Sequence, residues 1–135
     1  QDLLGAISAP KCVASSTQMA FLPGKLERTG LAPFFGDHVY SGDMVEHGKP
    51  APDLFLHAAR DMGGYEPTQT IVVEDSANGV RAGKAAGMFT IGFMGGSHAV
   101  GDHAQTLIAA GADVIADDHA ALLIWLRENA ASTVF

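Results

Sequence analysis

The chain has 135 residues, 47% of them hydrophobic and 17% charged, and carries a formal net charge of −7. That length suits one domain able to bury roughly two-thirds of its unfolded surface, and the composition excludes a disordered chain. The acidity excludes a general binder of polyanions, so no nucleic-acid partner is expected, although aimed backbone N–H groups and one lysine can still hold a phosphate.

In chain order, Asp2 to Ile7 reads as the tail of a helix, so an earlier segment is expected to precede Gln1. Pro10 introduces a short strand over Lys11 to Ser15. Met19 to Gly30 is helical, with Phe21, Leu22, Leu26 and Leu31 near helical spacing, although Pro23 and Gly24 disturb its first turn. His38 to Ser41 is a brief strand. Asp53 to Met62 is a helix entered through Pro50 and Pro52, with Leu54, Phe55, Ala58, Ala59 and Met62 on one stripe and Gly63-Gly64 as its stop. Thr70 to Val73 is the clearest strand, β-branched and closed by two acids. Ala77 to Ala86 is a small-residue helix, and Met88 to Phe93 is a further strand. His103 to Ala110 is helical, Val114 to Ala116 is a strand, and His119 to Glu128 is a final amphipathic helix. Asn129 to Phe135 is expected to fray.

Apolar strands that do not alternate, each separated by a helix, predict a parallel sheet covered on both faces. No repeat or linker divides the chain. Such sheets bind ligands at the C-terminal ends of their strands. The longest apolar run, Ala120 to Leu126, is far short of the roughly 20 residues that cross a bilayer, and no signal segment is visible. Cys12 is the only cysteine. No internal disulfide is therefore possible, a reducing cytoplasmic location without a membrane partner is expected, and the thiol reads as buried and inert.

Polar residues stand at three strand ends or loops. Ser15-Ser16-Thr17 closes the first strand, Gly48-Lys49-Pro50-Ala51-Pro52-Asp53 precedes a helix, and Glu74-Asp75 closes the best strand ahead of a helix start at Ser76. Taken singly, these are an N-cap cluster, a surface lysine and acids facing a helix N-terminus. Together they supply hydroxyl and N–H donors, a fixed cation and paired carboxylates able to bind a phosphoryl group and a hard divalent ion.

The order of these segments resembles the haloacid dehalogenase-like hydrolase superfamily, especially its branch of β-phosphoglucomutases and sugar-phosphate or 6-phosphogluconate phosphatases. The resemblance rests on Val13-Ala14-Ser15-Ser16, Gly48 to Asp53 and Val72-Val73-Glu74-Asp75-Ser76-Ala77-Asn78-Gly79. Gly30 to Phe35 and Ala82 to Met88 add to it. It implies a Rossmann-like three-layer α/β/α core and a phosphatase acting on a small phosphorylated metabolite with Mg²⁺. It also implies roles: Ser15 and the N–H of Ser16 on the phosphoryl group, Lys49 bridging phosphate and nucleophile, and Asp75 as metal ligand. Glu74 would be a ligand or its supporting partner, and Thr17 and Gln18 would lie near substrate.

One departure accompanies the match. The family's first strand ends Asp-x-Asp and supplies the nucleophile, yet no Asp-x-Asp occurs among these residues. The inserted cap is missing too. Residues 1–135 therefore read as the C-terminal portion of one core domain, lacking its first, central strand. An upstream segment of the same protein is expected to supply that strand and the cap. Alone, the chain is expected to be inactive and poorly folded, with a gap between the strand of Ser15 and the strand of Glu74.

Competing readings are a phosphomutase, a metal-free 2-haloacid dehalogenase, against which Glu74-Asp75 argues, and a non-catalytic phosphate-binding module. Gly42 to Lys49 is not a P-loop, because the spacing is wrong and Pro50 stands where a hydroxyl is needed. Gly92, Gly95 and Gly96 do not form a dinucleotide fingerprint. His98, His103 and His119 lack zinc spacing and read as exposed.

Overall fold

The computed structural model describes residues 11–15, 38–94, 103–128 and 132–135. The predicted helices at Asp2 to Ile7 and Met19 to Gly30 lie outside these. Among the described residues six parallel strands form one sheet: β1 (Lys11–Ser15), β2 (Val39–Ser41), β3 (Thr70–Glu74), β4 (Phe89–Phe93), β5 (Val114–Ala116) and β6 (Ser132–Val134). Their spatial order is β2-β1-β6-β3-β4-β5. The helices are α1 (Asp53–Gly63), α2 (Ala77–Ala85), α3 (His103–Ala110) and α4 (His119–Glu128).

Burial explains the strand pattern. All five residues of β3 are buried, as an interior strand with both faces covered requires. On one face, Cys12, Val72 and Val134 pack with Leu54, Phe55 and Ala58 of α1 and Ala82 of α2. On the other, Ile71, Val73 and Ile91 meet Leu122 and Leu126 of α4, and Phe89 stacks on Trp125 with ring centroids 4.9 Å apart. The result is the three-layer α/β/α arrangement that the sequence predicts.

Helix ends follow their local chemistry. α1 stops because Gly64 adopts φ 73°, a left-handed conformation open to glycine, and its N–H bonds back to the carbonyls of Ala59 and Arg60. α2 starts because the Ser76 side chain accepts the N–H of Gly79 at 3.1 Å.

The C-terminal residues depart from expectation. Ser132 to Val134 do not fray: they form β6, paired in parallel with both β1 and β3. The gap expected between those strands is therefore filled. The physical reason is that two facing interior strands present unpaired N–H and C=O groups and apolar side chains, and Thr133-Val134 can satisfy both at once. Val134 and Thr133 are almost completely buried.

Candidate active site

The site forms where β1 and β3 end. β6 sets their relative register: Thr133 pairs with Lys11 on one side and Ile71 on the other, and Val134 with Cys12 and Val72. Counting along both strands brings Ala14 level with Glu74, and Ser15 level with Asp75. Residues 60 positions apart in sequence thus share one rim, at the C-terminal edge of the sheet where ligands bind in this architecture.

Lys49 arrives from the loop between β2 and α1, over the cis Lys49–Pro50 bond. Its ammonium donates to the Ala14 carbonyl at 3.1 Å and pairs with the Glu74 carboxylate. It also lies 5.0 Å from the centroid of the Phe55 ring, a cation–π distance. Both partners of the ion pair are nearly sequestered, with side chains 10% and 8% exposed. An ammonium has three donors; among the described residues two of them are used, on the Ala14 carbonyl and on Glu74.

The other Glu74 oxygen accepts the Ser76 hydroxyl at 3.4 Å. Gly79, one turn into α2, packs directly beneath this carboxylate, and a Cβ there would collide with it. Asp75, by contrast, is exposed and lines a cleft of about 740 Å³ together with Ser15, Lys49, Glu74, Asn78 and Phe135. The His103 ring nitrogen lies 2.7 Å from the Asp75 backbone carbonyl, tying the start of α3 to the loop that carries Asp75.

A family model for haloacid dehalogenase-like hydrolases matches residues 3–87. The chain belongs to that family. It is similar to the fructose-1-phosphate phosphatase YqaB of Escherichia coli (strain K12), 43% identical over 79 residues, covering 58% of this chain and 41% of that protein. It is also similar to the 6-phosphogluconate phosphatase of the same organism, 33% identical over 96 residues, covering 71% of this chain and 43% of the relative. A solved haloacid dehalogenase-like family hydrolase from Deinococcus radiodurans R1, with bound phosphate and sodium, superposes with a TM-score of 0.84 at 35% identity. That match covers 95% of this chain and 56% of the other. The chain thus spans about half the length of these relatives.

Phosphatases of the haloacid dehalogenase-like family generally use a divalent metal, and the donor set can be tested against one. Among the described residues no three His, Cys, Asp or Glu side chains cluster to hold a metal. Mg²⁺ asks for less, since it keeps several waters and takes one or two carboxylates beside substrate phosphate. The exposed carboxylate of Asp75, facing the cleft, fits that demand; Glu74 is already engaged by Lys49.

Of the residues singled out in the sequence, Ser15, Lys49, Glu74 and Asp75 come together at the cleft, whereas Ser16, Thr17 and Gln18 lie outside the described residues. His103 was expected to be exposed; it is partly covered, with its ring nitrogen in hydrogen-bond contact with the Asp75 backbone carbonyl. His98 lies outside the described residues. Cys12 is completely buried, and burial pushes its thiol up to about 12, so it remains a protonated core group. Among the described residues no helix is long and apolar enough to cross a membrane.

Proposed function

We propose that the complete protein is a cytoplasmic phosphatase that hydrolyses a small phosphorylated metabolite, of the sugar-phosphate class, with Mg²⁺. The observation that supports this reading best is Lys49. Its ammonium is held at the strand ends between the Ala14 carbonyl and Glu74, on a cleft shared with Ser15 and Asp75. A nearly sequestered cation beside a hydroxyl and an exposed carboxylate suits a phosphoryl group better than a neutral substrate. The likeness to a fructose-1-phosphate phosphatase and a 6-phosphogluconate phosphatase supports the substrate class.

In this reading the attacking carboxylate belongs to an Asp upstream of the chain, because no Asp-x-Asp strand lies within it. That carboxylate oxygen bonds to phosphorus in line as the bond to the leaving oxygen breaks, and water then cleaves the aspartyl-phosphate. The Ser15 hydroxyl donates to a non-bridging phosphoryl oxygen. Lys49 offsets the repulsion between the attacking carboxylate and the dianionic phosphate, and the Ala14 carbonyl and Glu74 keep it from wandering. Asp75 would hold Mg²⁺, which would supply charge neutralisation at the phosphoryl group. Glu74 sets the Lys49 position and stays off the metal.

The test is phosphate release by the complete protein over a panel of sugar phosphates, with and without Mg²⁺. Metal-dependent turnover of at least one of them is the expected result. The 135-residue chain alone is expected to release none. No turnover by the complete protein, or turnover by the chain alone, would refute the reading.

A further inference from the structure

Asp75 faces the cleft from the link between β3 and α2, and both ends of that link are fixed. Behind it, Glu74 stands in register with Gly92 of β4, and its carboxylate is held by Lys49. Ahead of it, the Ser76 side chain caps α2 through the Gly79 N–H. A third hold comes from α3. Nε2 of His103 lies 2.7 Å from the Asp75 carbonyl oxygen, and a carbonyl only accepts, so Nε2 carries the proton and donates. What lets α3 come this close is a glycine. A Cβ at Gly92 would stand 3.1 Å from Cβ of Leu107 and 2.8 Å from Cδ1 of Ile115, so a larger residue there disturbs the seat of α3. Leu107 is completely buried, and His103, four residues earlier, lies on the same face of the helix. Docking Leu107 on Gly92, level with Glu74, thus carries the imidazole to the next residue along, Asp75.

We propose that His103 is a positioning residue for the divalent metal: through the Asp75 carbonyl it sets the direction of the Asp75 carboxylate, with α3 as its strut. The peptide unit is planar, so an anchored carbonyl oxygen fixes the plane that joins Asp75 to Ser76. Glu74 is fixed in the ladder on the other side. The backbone angles of Asp75 are then set from both directions, and its Cβ points one way. A metal that takes one or two carboxylates in near-ideal octahedral geometry gains from a direction set in advance. Groups that orient a metal-binding side chain from behind are worth on the order of 10–100-fold in affinity. His103 acts on the backbone of Asp75 and takes no place among the metal's ligands. The inference rests on the phosphatase reading, in which Asp75 is the residue that holds the metal.

The experiment measures Mn²⁺ binding by the complete protein in the absence of substrate, with the free ion counted by electron paramagnetic resonance. Mn²⁺ shares the octahedral oxygen preference of Mg²⁺. His103→Ala and His103→Leu remove the donor, the second keeping bulk at the site, and His103→Gln returns an N–H at similar reach. Asp75→Ala tests the ligand itself, and circular dichroism checks that each variant is folded. Loss of the donor should weaken Mn²⁺ binding about tenfold, and His103→Gln should regain most of that loss. Parent-like affinity in a folded variant without the donor, or a His103→Gln that regains nothing, overturns the proposal. Unfolding of both His103→Ala and His103→Leu overturns it too, since the ring then serves the fold alone. When Asp75→Ala weakens binding and the His103 variants do not, this inference fails and the phosphatase reading stands. No Mn²⁺ binding by the parent, or parent-like binding by Asp75→Ala, removes the metal role of Asp75 and this inference with it.

Discussion

Replacing Lys49 by Met keeps much of the side-chain volume and removes the charge, which isolates what the ammonium does for the fold. Its partner Glu74 is only 8% exposed and sits over Gly79, with no room to turn toward water through the helix. Leaving such a carboxylate without its cation costs about 3–5 kcal/mol, the range for breaking a buried pair from one side. The lost bond to the Ala14 carbonyl lies within that figure. Removing both charges in Lys49→Met/Glu74→Gln takes away the stranded carboxylate, so the double variant should be more stable than Lys49→Met alone. The coupling between the two positions should be at least about 2 kcal/mol. Urea unfolding of the four proteins, followed by circular dichroism, measures it directly. If the effects of the single changes simply add, the pair contributes nothing as a pair and the account of Lys49 anchoring is wrong.

Two other substitutions probe the surroundings. Gly79→Ala should lose about 1–3 kcal/mol through overpacking against Glu74, although alanine is by itself the better helix former; a thermal melt at or above that of the parent would contradict the contact. Cys12 should resist a thiol reagent at pH 8 until the chain unfolds. The unfolded thiol titrates near its ordinary 9.0, whereas the buried one is pushed up to about 12. Above pH 9 the unfolded state therefore binds fewer protons, and stability falls as pH rises, by up to about 1.4 kcal/mol per pH unit. Cys12→Ala should flatten that slope between pH 9 and 10, and an unchanged slope would refute the assignment.

The sequence disclosed most of the scaffold because most of it is local. Thr70 to Val73 is a continuous β-branched run whose burial on both faces is written in its lack of alternation, and α1 declares itself by the spacing of Leu54, Phe55, Ala58, Ala59 and Met62. Ser15, Lys49 and Glu74-Asp75 were legible through their order, which resembles a known family. The resemblance set Asp75 apart as metal ligand and left Glu74 as ligand or supporting partner; the contacts that distinguish the two acids were not legible. Two adjacent acids look alike until the register turns Glu74 inward to Lys49 and leaves Asp75 facing the cleft. The role of His103 depends on a contact across 28 positions, and that of Gly79 on the carboxylate above it; neither has a local signature. β6 is the sharpest case. Ser-Thr-Val behind a helix is too short to declare itself, and only the two strand edges that it joins make it a strand.

The central claim is that Asp75 and Lys49 serve phosphoryl transfer, and one measurement tests it most directly: phosphate release by the complete protein carrying Asp75→Ala, with saturating Mg²⁺ and its best sugar phosphate. Asp75 is exposed at the cleft rim, so its removal should leave the fold intact. Turnover should drop on the order of 10²–10³-fold, as when one transition-state contact is lost. A folded Asp75→Ala enzyme with the parent's rate would contradict the account.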